Sequence, residues 1–219
     1  PKTDVLKLAK KIGDKGFKID VLKEKSLIKG IKEISKYLNG IDAVIYNATI
    51  TSEQLKKNNS FYNFENYPLA LWKKTIDVNL TGSFLFAREI SKIFIHQNFG
   101  NLINISSIYG VVAPDHSIYD NETFDTFPGY SASKFGMISL SKWLATRWAK
   151  NNIRVNSVSP GGIFNNQSKC FIKKYSKRLP LSRMGHKDEI TGILLYLISD
   201  HSSYCTGQNF IIDGGLSSR

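Results

Sequence analysis

The chain has 219 residues, 42% of them hydrophobic and 22% charged, an ordinary globular composition that predicts a single domain over residues 1–219. It contains no apolar run of about 18 residues, so no membrane span is predicted. Its two cysteines, Cys170 and Cys205, are isolated, which excludes a disulfide framework and a zinc site; we expect no metal and a reducing, cytoplasmic location.

The net charge is +12, a value that suits proteins binding nucleic acids or acidic membranes. The lysines are spread over the whole chain, however, and this favours a compositional bias. We therefore predict neither a nucleic-acid nor a membrane partner. One local cluster, termed here the basic cluster, contains seven cations with no acid among them: Lys169, Lys173, Lys174, Lys177, Arg178, Arg183 and Lys187.

Strand-like and helix-like runs alternate along the chain. Strands are predicted at 17–21, 43–46, 101–105, 153–158 and 210–212, and helices at 26–37, 69–95 (one or two helices), 130–150 and 188–199, with a partly helical stretch at 164–185. This alternation is typical of βα units and a parallel sheet. Several loops would then meet at one edge of the sheet, where α/β sheets bind ligands, because each follows a strand: Asn47, Ser107, Pro160 and Gly161.

The run 130–150 is the clearest helix, because it lacks proline and repeats apolar residues at helical spacing. These residues are Phe135, Ile138, Trp143, Leu144 and Trp148.

Tyr130 and Lys134 lie four residues apart on this helix and therefore share a face. A lysine ammonium beside a phenol favours the phenolate and lowers its pKa from about 10, so that the phenol can exchange a proton with a carbonyl or an alcohol. Ser107 would hydrogen-bond the same oxygen. Taken alone, a Tyr-x-x-x-Lys pair is more often a surface pair on a helix than a catalytic pair. The other motifs around it in the sequence favour the catalytic interpretation.

Several segments together resemble the short-chain dehydrogenase/reductase family from about residue 17 to 215. They are Asp20-Val21, Asn47-Ala48, Asn79 in Asp-Val-Asn-Leu-x-Gly, Ser107 in Asn-Ile-Ser-Ser-Ile-Tyr-Gly, the run Tyr-Ser-Ala-Ser-Lys at 130–134, the run at 153–163 containing Ser-Pro-Gly-Gly-Ile, and Asp-Gly-Gly at 213–215. Their order and spacing are more specific than any single motif.

The resemblance implies a Rossmann-like doubly wound α/β fold and hydride transfer with NAD or NADP. It implies four catalytic residues: Asn79, Ser107, Tyr130 and Lys134. The implied cofactor-binding residues are Asp20, Val21, Asn47, Ala48, Ile105, Tyr130, Lys134, Pro160, Gly161 and Ile163. It also implies a homodimer or homotetramer formed through the helix of Tyr130 and the helix before it.

Within the family, the stretch from Ser106 to Pro114 and the segment 159–167 are similar to oxidoreductases of flagellin-glycan pathways that make nonulosonic acids of the legionaminic type. This similarity implies a sugar or phosphosugar substrate. Two other readings stay open: a 3-oxoacyl-thioester or small-alcohol reductase with the same chemistry, and a cofactor-deficient, truncated scaffold. The basic cluster either holds a substrate phosphate or is a set of solvated lid residues.

Three departures from the family pattern affect these expectations. No Gly-x-x-x-Gly-x-Gly loop occurs, so we expect the first β-α-β segment to be missing and the strand 17–21 to pair with 43–46 or with another chain. Tyr130 follows Ser107 by 23 positions, and the segment between them includes an insertion, around 114–127, that we expect to arch over the substrate pocket. Its His116 is expected to be a solvated loop residue. Thr49 replaces a family glycine near the cofactor ribose.

Overall fold

The structure, a computed structural model, describes residues 14–51, 64–119 and 125–218. In these ranges four strands form one parallel sheet, with neighbours in chain order. They are β1 (Ala43–Tyr46), β2 (Gly100–Ile105), β3 (Ile153–Pro160) and β4 (Asn209–Ile212). Six α-helices of the described ranges accompany them: α1 (Glu24–Leu38), α2 (Leu69–Ile76), α3 (Gly82–Gln97), α4 (Pro128–Trp148), α5 (Lys169–Ser176) and α6 (Thr191–Ile198).

Helices cover both faces of the sheet. Successive residues of a strand point to opposite faces, so neighbouring residues of β2 pack against different helices. Leu102 of β2 belongs to a buried cluster with Ile90 of α3 and Met137 of α4. Its neighbour Ile103 packs instead with Leu197 of α6. The predicted doubly wound α/β architecture is confirmed.

The predicted strand at 17–21 is wrong. The backbone there runs without a ladder partner and turns at Val21 and Leu22, and β1 pairs with β2 alone among the described strands. The expected pairing of 17–21 with 43–46 is therefore wrong as well. Asp20 explains the turn: its Oδ1 accepts a hydrogen bond from the Leu22 N–H at 3.1 Å, a local bond that competes with strand pairing.

The predicted helical run 69–95 consists of two helices joined by a π-helical turn, Asp77–Thr81, in which the Gly82 N–H bonds to the Asp77 carbonyl. Such turns interrupt helices at functional sites more often than elsewhere. The predicted helix 188–199 begins as a 3₁₀ turn, Lys187–Ile190, before α6.

Helix α4 buries only part of its predicted apolar face: Leu144 and Trp148 are in the core, but Phe135 and Trp143 are 63% and 61% exposed. Met137 of the same helix is also buried in the core. The apolar residues of α4 thus divide into a core face and an uncovered face. No helix in the described part of the chain is long and apolar enough to cross a bilayer.

Candidate active site

The carboxyl ends of β2 and β3 lie side by side at one edge of the sheet. Ile105 pairs with Val158, and the Ser106 N–H continues the ladder to the Val158 carbonyl at 2.7 Å. The chain then leaves β2 through Ser107, which begins a 3₁₀ turn at Ile108–Gly110 by accepting a hydrogen bond from the Tyr109 N–H at 3.2 Å. Ser107 is consequently fixed at the top of the sheet.

Helix α4 begins directly against this turn. A Cβ added at Gly110 would lie 2.8 Å from the carbonyl carbon of Lys134, closer than nonbonded carbons approach, so only glycine fits there. The Ser106 hydroxyl donates to the Lys134 carbonyl at 2.9 Å and closes the same junction. These contacts bring Ser107 beside Tyr130, in the first turn of α4, close enough for the serine side chain to influence the pKa of the phenol.

The phenol of Tyr130 has a raised pKa, with burial as the main cause; the Ser107 side chain opposes the shift without cancelling it. The expectation that Lys134 lowers this pKa is therefore wrong for the protein alone. The physical reason for the raised pKa is that burial removes water from the phenolate, and this destabilises the phenolate more than Ser107 stabilises it. At neutral pH the group is a protonated phenol.

Lys134 lies under Tyr130, with its Nζ 5.7 Å from the centre of the phenol ring. The side chain is only 2% exposed, and burial lowers its pKa to about 8. Its Nζ donates to the Ile105 carbonyl at 2.9 Å, so Ile105 positions the lysine through its backbone. An ammonium has three donors, and this is its one acceptor among the described residues.

The Asn79 side chain, in the π-helical turn, is fully buried and uses all of its hydrogen-bonding capacity. Its Oδ1 accepts from the Thr49 hydroxyl at 3.0 Å and from the Ile50 N–H at 2.7 Å. Its Nδ2 donates to the Ile50 carbonyl at 3.2 Å and to the Ser133 hydroxyl at 3.1 Å. Asn79 therefore joins the loop after β1 to helix α4 through its side chain.

Two residues of this network, Thr49 and Ser133, were absent from the predicted site. Ser133 links Asn79 to the reactive helix, because its hydroxyl also donates to the Tyr130 carbonyl at 2.7 Å. Its place inside the Tyr-Ser-Ala-Ser-Lys run was a signal that could have identified it. Thr49 had been noted only as a lost glycine, and nothing in the sequence showed that its hydroxyl would reach Asn79.

The predicted residues after β3 lie at the same sheet edge, against β4. The Gly161 N–H bonds to the Ile212 carbonyl at 2.9 Å, and a Cβ at Gly161 would lie 2.8 Å from the Cα of Asp213. Pro160 ends β3, and Ile163 bridges to Gly185. A cavity of about 90 Å³ lies beside these residues; its lining includes Gly161, Ile163, Leu179, Arg183 and Asp213.

The other predicted cofactor residues lie toward β1. Asn47 and Ala48 are exposed directly after this strand. Val21 approaches it from the side, because a Cβ on Gly82 would contact both Val21 Cγ2, at 3.1 Å, and the Tyr46 hydroxyl, at 3.0 Å. Asp20 is occupied with the turn before α1 and pairs with Lys23 at 3.6 Å.

The insertion ahead of Tyr130 docks onto α5. Asp115 pairs with Arg178 at 3.3 Å, the Lys174 Nζ donates to the Ser117 carbonyl at 3.1 Å, and the rings of Tyr119 and Phe171 are 5.4 Å apart. The Tyr119 and Tyr109 hydroxyls are hydrogen-bonded at 2.9 Å, which joins this assembly to the Ser107 turn.

His116 is exposed and lies 3.0 Å from Asp125, consistent with a loop residue; Asp120 and Glu122 of the insertion lie outside the described residues. In the basic cluster, Arg183 is paired with Glu189 at 2.7 Å. Lys173 and Lys177 are exposed.

Comparison with known proteins identifies this architecture. The family model described as enoyl-(acyl carrier protein) reductase matches residues 1–217. The chain belongs to the short-chain dehydrogenase/reductase family.

Relatives within this family differ in what they act on. The chain is 39% identical over 142 residues to post-translational flagellin modification protein A of Campylobacter coli, a match that spans 65% of the chain and 56% of that protein's length. It is 33% identical over 215 residues to the 3-oxoacyl-[acyl-carrier-protein] reductase of Aquifex aeolicus, which covers 95% of the chain and 79% of the relative.

Solved short-chain dehydrogenases/reductases have the same fold. A short-chain dehydrogenase of Leptospira borgpetersenii, with bound NAD+, superimposes with a TM-score of 0.79 at 36% identity over 90% of this chain and 73% of that one. The NADPH-dependent 3-quinuclidinone reductase of Rhodotorula rubra gives 0.80 at 30% identity, over 98% and 77%.

Proposed function

We propose that the chain transfers a hydride between NAD or NADP and a carbonyl or alcohol, with Tyr130 as the proton donor and acceptor. One arrangement supports this most: Ser107 lies beside Tyr130, and the buried Lys134 Nζ lies 5.7 Å from the centre of the phenol ring. Family membership supports the cofactor class, and one structural relative contains NAD+ while another is NADPH-dependent.

The chemistry of reduction needs a hydride and a proton on opposite ends of the carbonyl. When bound, the nicotinamide cofactor supplies the hydride. The Tyr130 phenol, kept protonated by burial, donates its proton to the carbonyl oxygen, and the Ser107 hydroxyl positions that oxygen by a hydrogen bond. Asn79 is proposed to act through position, since its side chain holds the loop at Thr49 and Ile50 against the helix of Tyr130.

The residues present fit the nicotinamide-ribose end of such a cofactor. Lys134 has donors to spare for vicinal hydroxyls, because Ile105 is its one acceptor in the described part of the chain. Asn47, Ala48, Pro160, Gly161 and Ile163 are proposed to line the same site, as their loops follow adjacent strands. We propose Asp20 and Val21 for the adenine end. No pyrophosphate-binding residues are assigned, because the sequence contains no Gly-x-x-x-Gly-x-Gly loop.

The test is the Tyr130→Phe variant, assayed for NADH- and NADPH-dependent reduction of ketoses and 3-oxoacyl thioesters. Removing a general acid lowers kcat about 10²- to 10⁴-fold. Tyr204→Phe is the matched control, since Tyr204 is fully exposed and should leave the rate unchanged. Redox activity that persists undiminished in Tyr130→Phe would refute the assignment.

The proposed substrate class is a sugar or phosphosugar in surface-glycan biosynthesis. The flagellin modification relative supports this class, as does the polar wall of Tyr109, Tyr119 and Arg178 beside Ser107. A 3-oxoacyl thioester is the second candidate, supported by the longer match to 3-oxoacyl-[acyl-carrier-protein] reductases. Comparing kcat/KM for a ketose and for an acetoacetyl thioester separates the two.

We also propose that residues 1–219 form one domain and that it assembles as a homodimer or homotetramer. The uncovered face of α4, with Phe135 and Trp143 exposed, supports an interface, because aromatic side chains are enriched in such surfaces.

A further inference from the structure

Arg178, two residues beyond the end of α5, forms an ion pair with Asp115. Its Nε lies 3.3 Å from Asp115 Oδ2. The other carboxylate oxygen, Oδ1, accepts hydrogen bonds from the Ser117 hydroxyl at 2.7 Å and from the Ser117 N–H at 3.0 Å. Asp115 therefore orients the guanidinium without occupying its planar fork, which can bind two oxygens at once.

One nitrogen of this guanidinium, Nη1, is buried and has no hydrogen-bond acceptor within the described ranges. A buried donor without a partner costs free energy, and such atoms are rare in folded proteins. The other cations of the basic cluster differ from it: Arg183 is exposed and paired with Glu189, and Lys173 and Lys177 are exposed. Within that cluster Arg178 has the unused, desolvated donor.

Arg178 is close to two tyrosines, Tyr109 and Tyr175, which contact opposite sides of the proposed pocket. Its charge acts on the phenols of Tyr109 and Tyr175, lowering the pKa of each against the dominant effect of burial. Tyr109 is bonded through its N–H to the Ser107 hydroxyl at 3.2 Å. Tyr175 accepts a hydrogen bond from the Gly162 N–H at 2.6 Å. Arg178 thus lies between the turn of Ser107 and the turn after β3.

We propose that Arg178, oriented by Asp115, binds an anionic group of the substrate, either a carboxylate or a phosphate. This inference rests on the proposed function and specifies the substrate class of that site. An oxygen of the anion would supply the acceptor that Nη1 lacks. The hydroxyl pair of Tyr109 and Tyr119 beside it suits a hydroxyl-bearing ligand, because phenols both donate and accept.

Three ketoses that differ in charge test the proposal: D-fructose, D-fructose 6-phosphate and 2-keto-D-gluconate. Their binding is measured by calorimetry, and their reduction by kcat/KM. We expect at least one of the two anions to bind wild type about tenfold or more tightly than fructose, because a charge-assisted hydrogen bond is worth that factor. The phosphate and carboxylate arms identify which anion is preferred.

Three variants separate anion binding from packing. Arg178→Met should abolish the preference, so that the anionic ligands bind no more tightly than fructose. Lys173→Met removes an equal charge from the exposed lid and should retain the preference. Asp115→Asn removes the carboxylate that orients the guanidinium but keeps the cation, so it should weaken the preference without abolishing it.

The proposal is overturned if wild type binds all three ketoses equally, or if the preference survives in Arg178→Met. It is also overturned if Lys173→Met or Asp115→Asn loses the preference as fully as Arg178→Met. Failure of the proposed function has a different signature, namely ketose reduction that Tyr130→Phe leaves unchanged.

Discussion

The Asn79 amide donates a hydrogen bond to the Ser133 hydroxyl at 3.1 Å, and that hydroxyl donates onward to the Tyr130 carbonyl at 2.7 Å. A turn between two helices is thereby bonded to the helix that bears the proposed acid. The orientation of Tyr130 depends on residues that do not touch its phenol.

Ser133→Ala is expected to destabilise the chain by about 1–3 kcal/mol, because it removes two hydrogen bonds and leaves one buried N–H of the Asn79 amide without an acceptor. Since this change also loosens Tyr130, kcat should fall more than KM rises. Chemical denaturation and steady-state kinetics measure the two effects. Ser139→Ala, at an exposed position of the same helix, should change neither; a similar loss in both variants would contradict the link.

Tyr130 should be less than half ionised at pH 10, where a free tyrosine is half ionised, because burial raises its pKa. Other buried tyrosines also have raised pKa values, so the measurement is a difference titration of wild type against Tyr130→Phe in the near-ultraviolet. The phenolate signal that is present in wild type and absent from the variant should have its midpoint above pH 10. A phenolate signal that appears near neutral pH in wild type alone would show that Lys134 controls the phenol.

Lys134 should make the stability of the chain increase with pH in the alkaline range. Its pKa is about 8 when folded and 10.5 in the reference state, so between these values the unfolded chain binds the extra proton and folding gains from deprotonation. The free energy of unfolding of wild type should rise relative to Lys134→Met by about 1.4 kcal/mol per pH unit in this window. Parallel pH profiles for the two proteins would rule out the lowered pKa.

Gly110→Ala should destabilise the chain by about 1–3 kcal/mol, because the new methyl group meets the Lys134 backbone, which cannot move aside. The matched control is Gly192→Ala, in α6, where an added Cβ meets nothing within 4 Å. There the change should stabilise by about 0.5–1 kcal/mol, since alanine favours the helix. Thermal unfolding measures both, and shifts of the same sign would contradict the contact.

Trp143→Glu should weaken self-association if the uncovered face of α4 is an interface. A charge placed in an apolar contact is costly to desolvate, so the variant should shift toward monomer in light scattering. Phe64→Glu, at an exposed residue far from α4 in sequence, serves as the control and should leave the association state unchanged. An unchanged mass for both variants would place any interface elsewhere.

Local patterns in the sequence predicted most of the fold and the order of the site. The strand at 43–46 is a continuous apolar run, and the strand at 153–158 contains the β-branched residues Ile153, Val155 and Val158. Both strands, and the helical spacing of Tyr130 and Lys134, could therefore be recognised from the sequence. The strand predicted at 17–21 was wrong because a strand needs a neighbour, and pairing is not encoded in its own composition.

The electrostatics of the site could not be read from spacing. The pKa of Tyr130 depends on how deeply the phenol is buried, which the folded packing decides. The role of Thr49 likewise depends on a contact with Asn79, 30 positions away. Trp143 and Trp148 look alike in sequence, yet one is exposed and the other is in the core.

The close approach of Gly110 to the Lys134 backbone concerns two properties of the chain: the spacing of Ser107 and Tyr130, and the length of the segment between them. Because the junction is made by main-chain atoms, the spacing of Ser107 and Tyr130 does not depend on the length of the segment between them. That segment can lengthen, shorten or change its side chains while the reacting groups stay in register. We therefore expect that changes in the insertion can alter the choice of substrate without moving Ser107 and Tyr130 relative to each other.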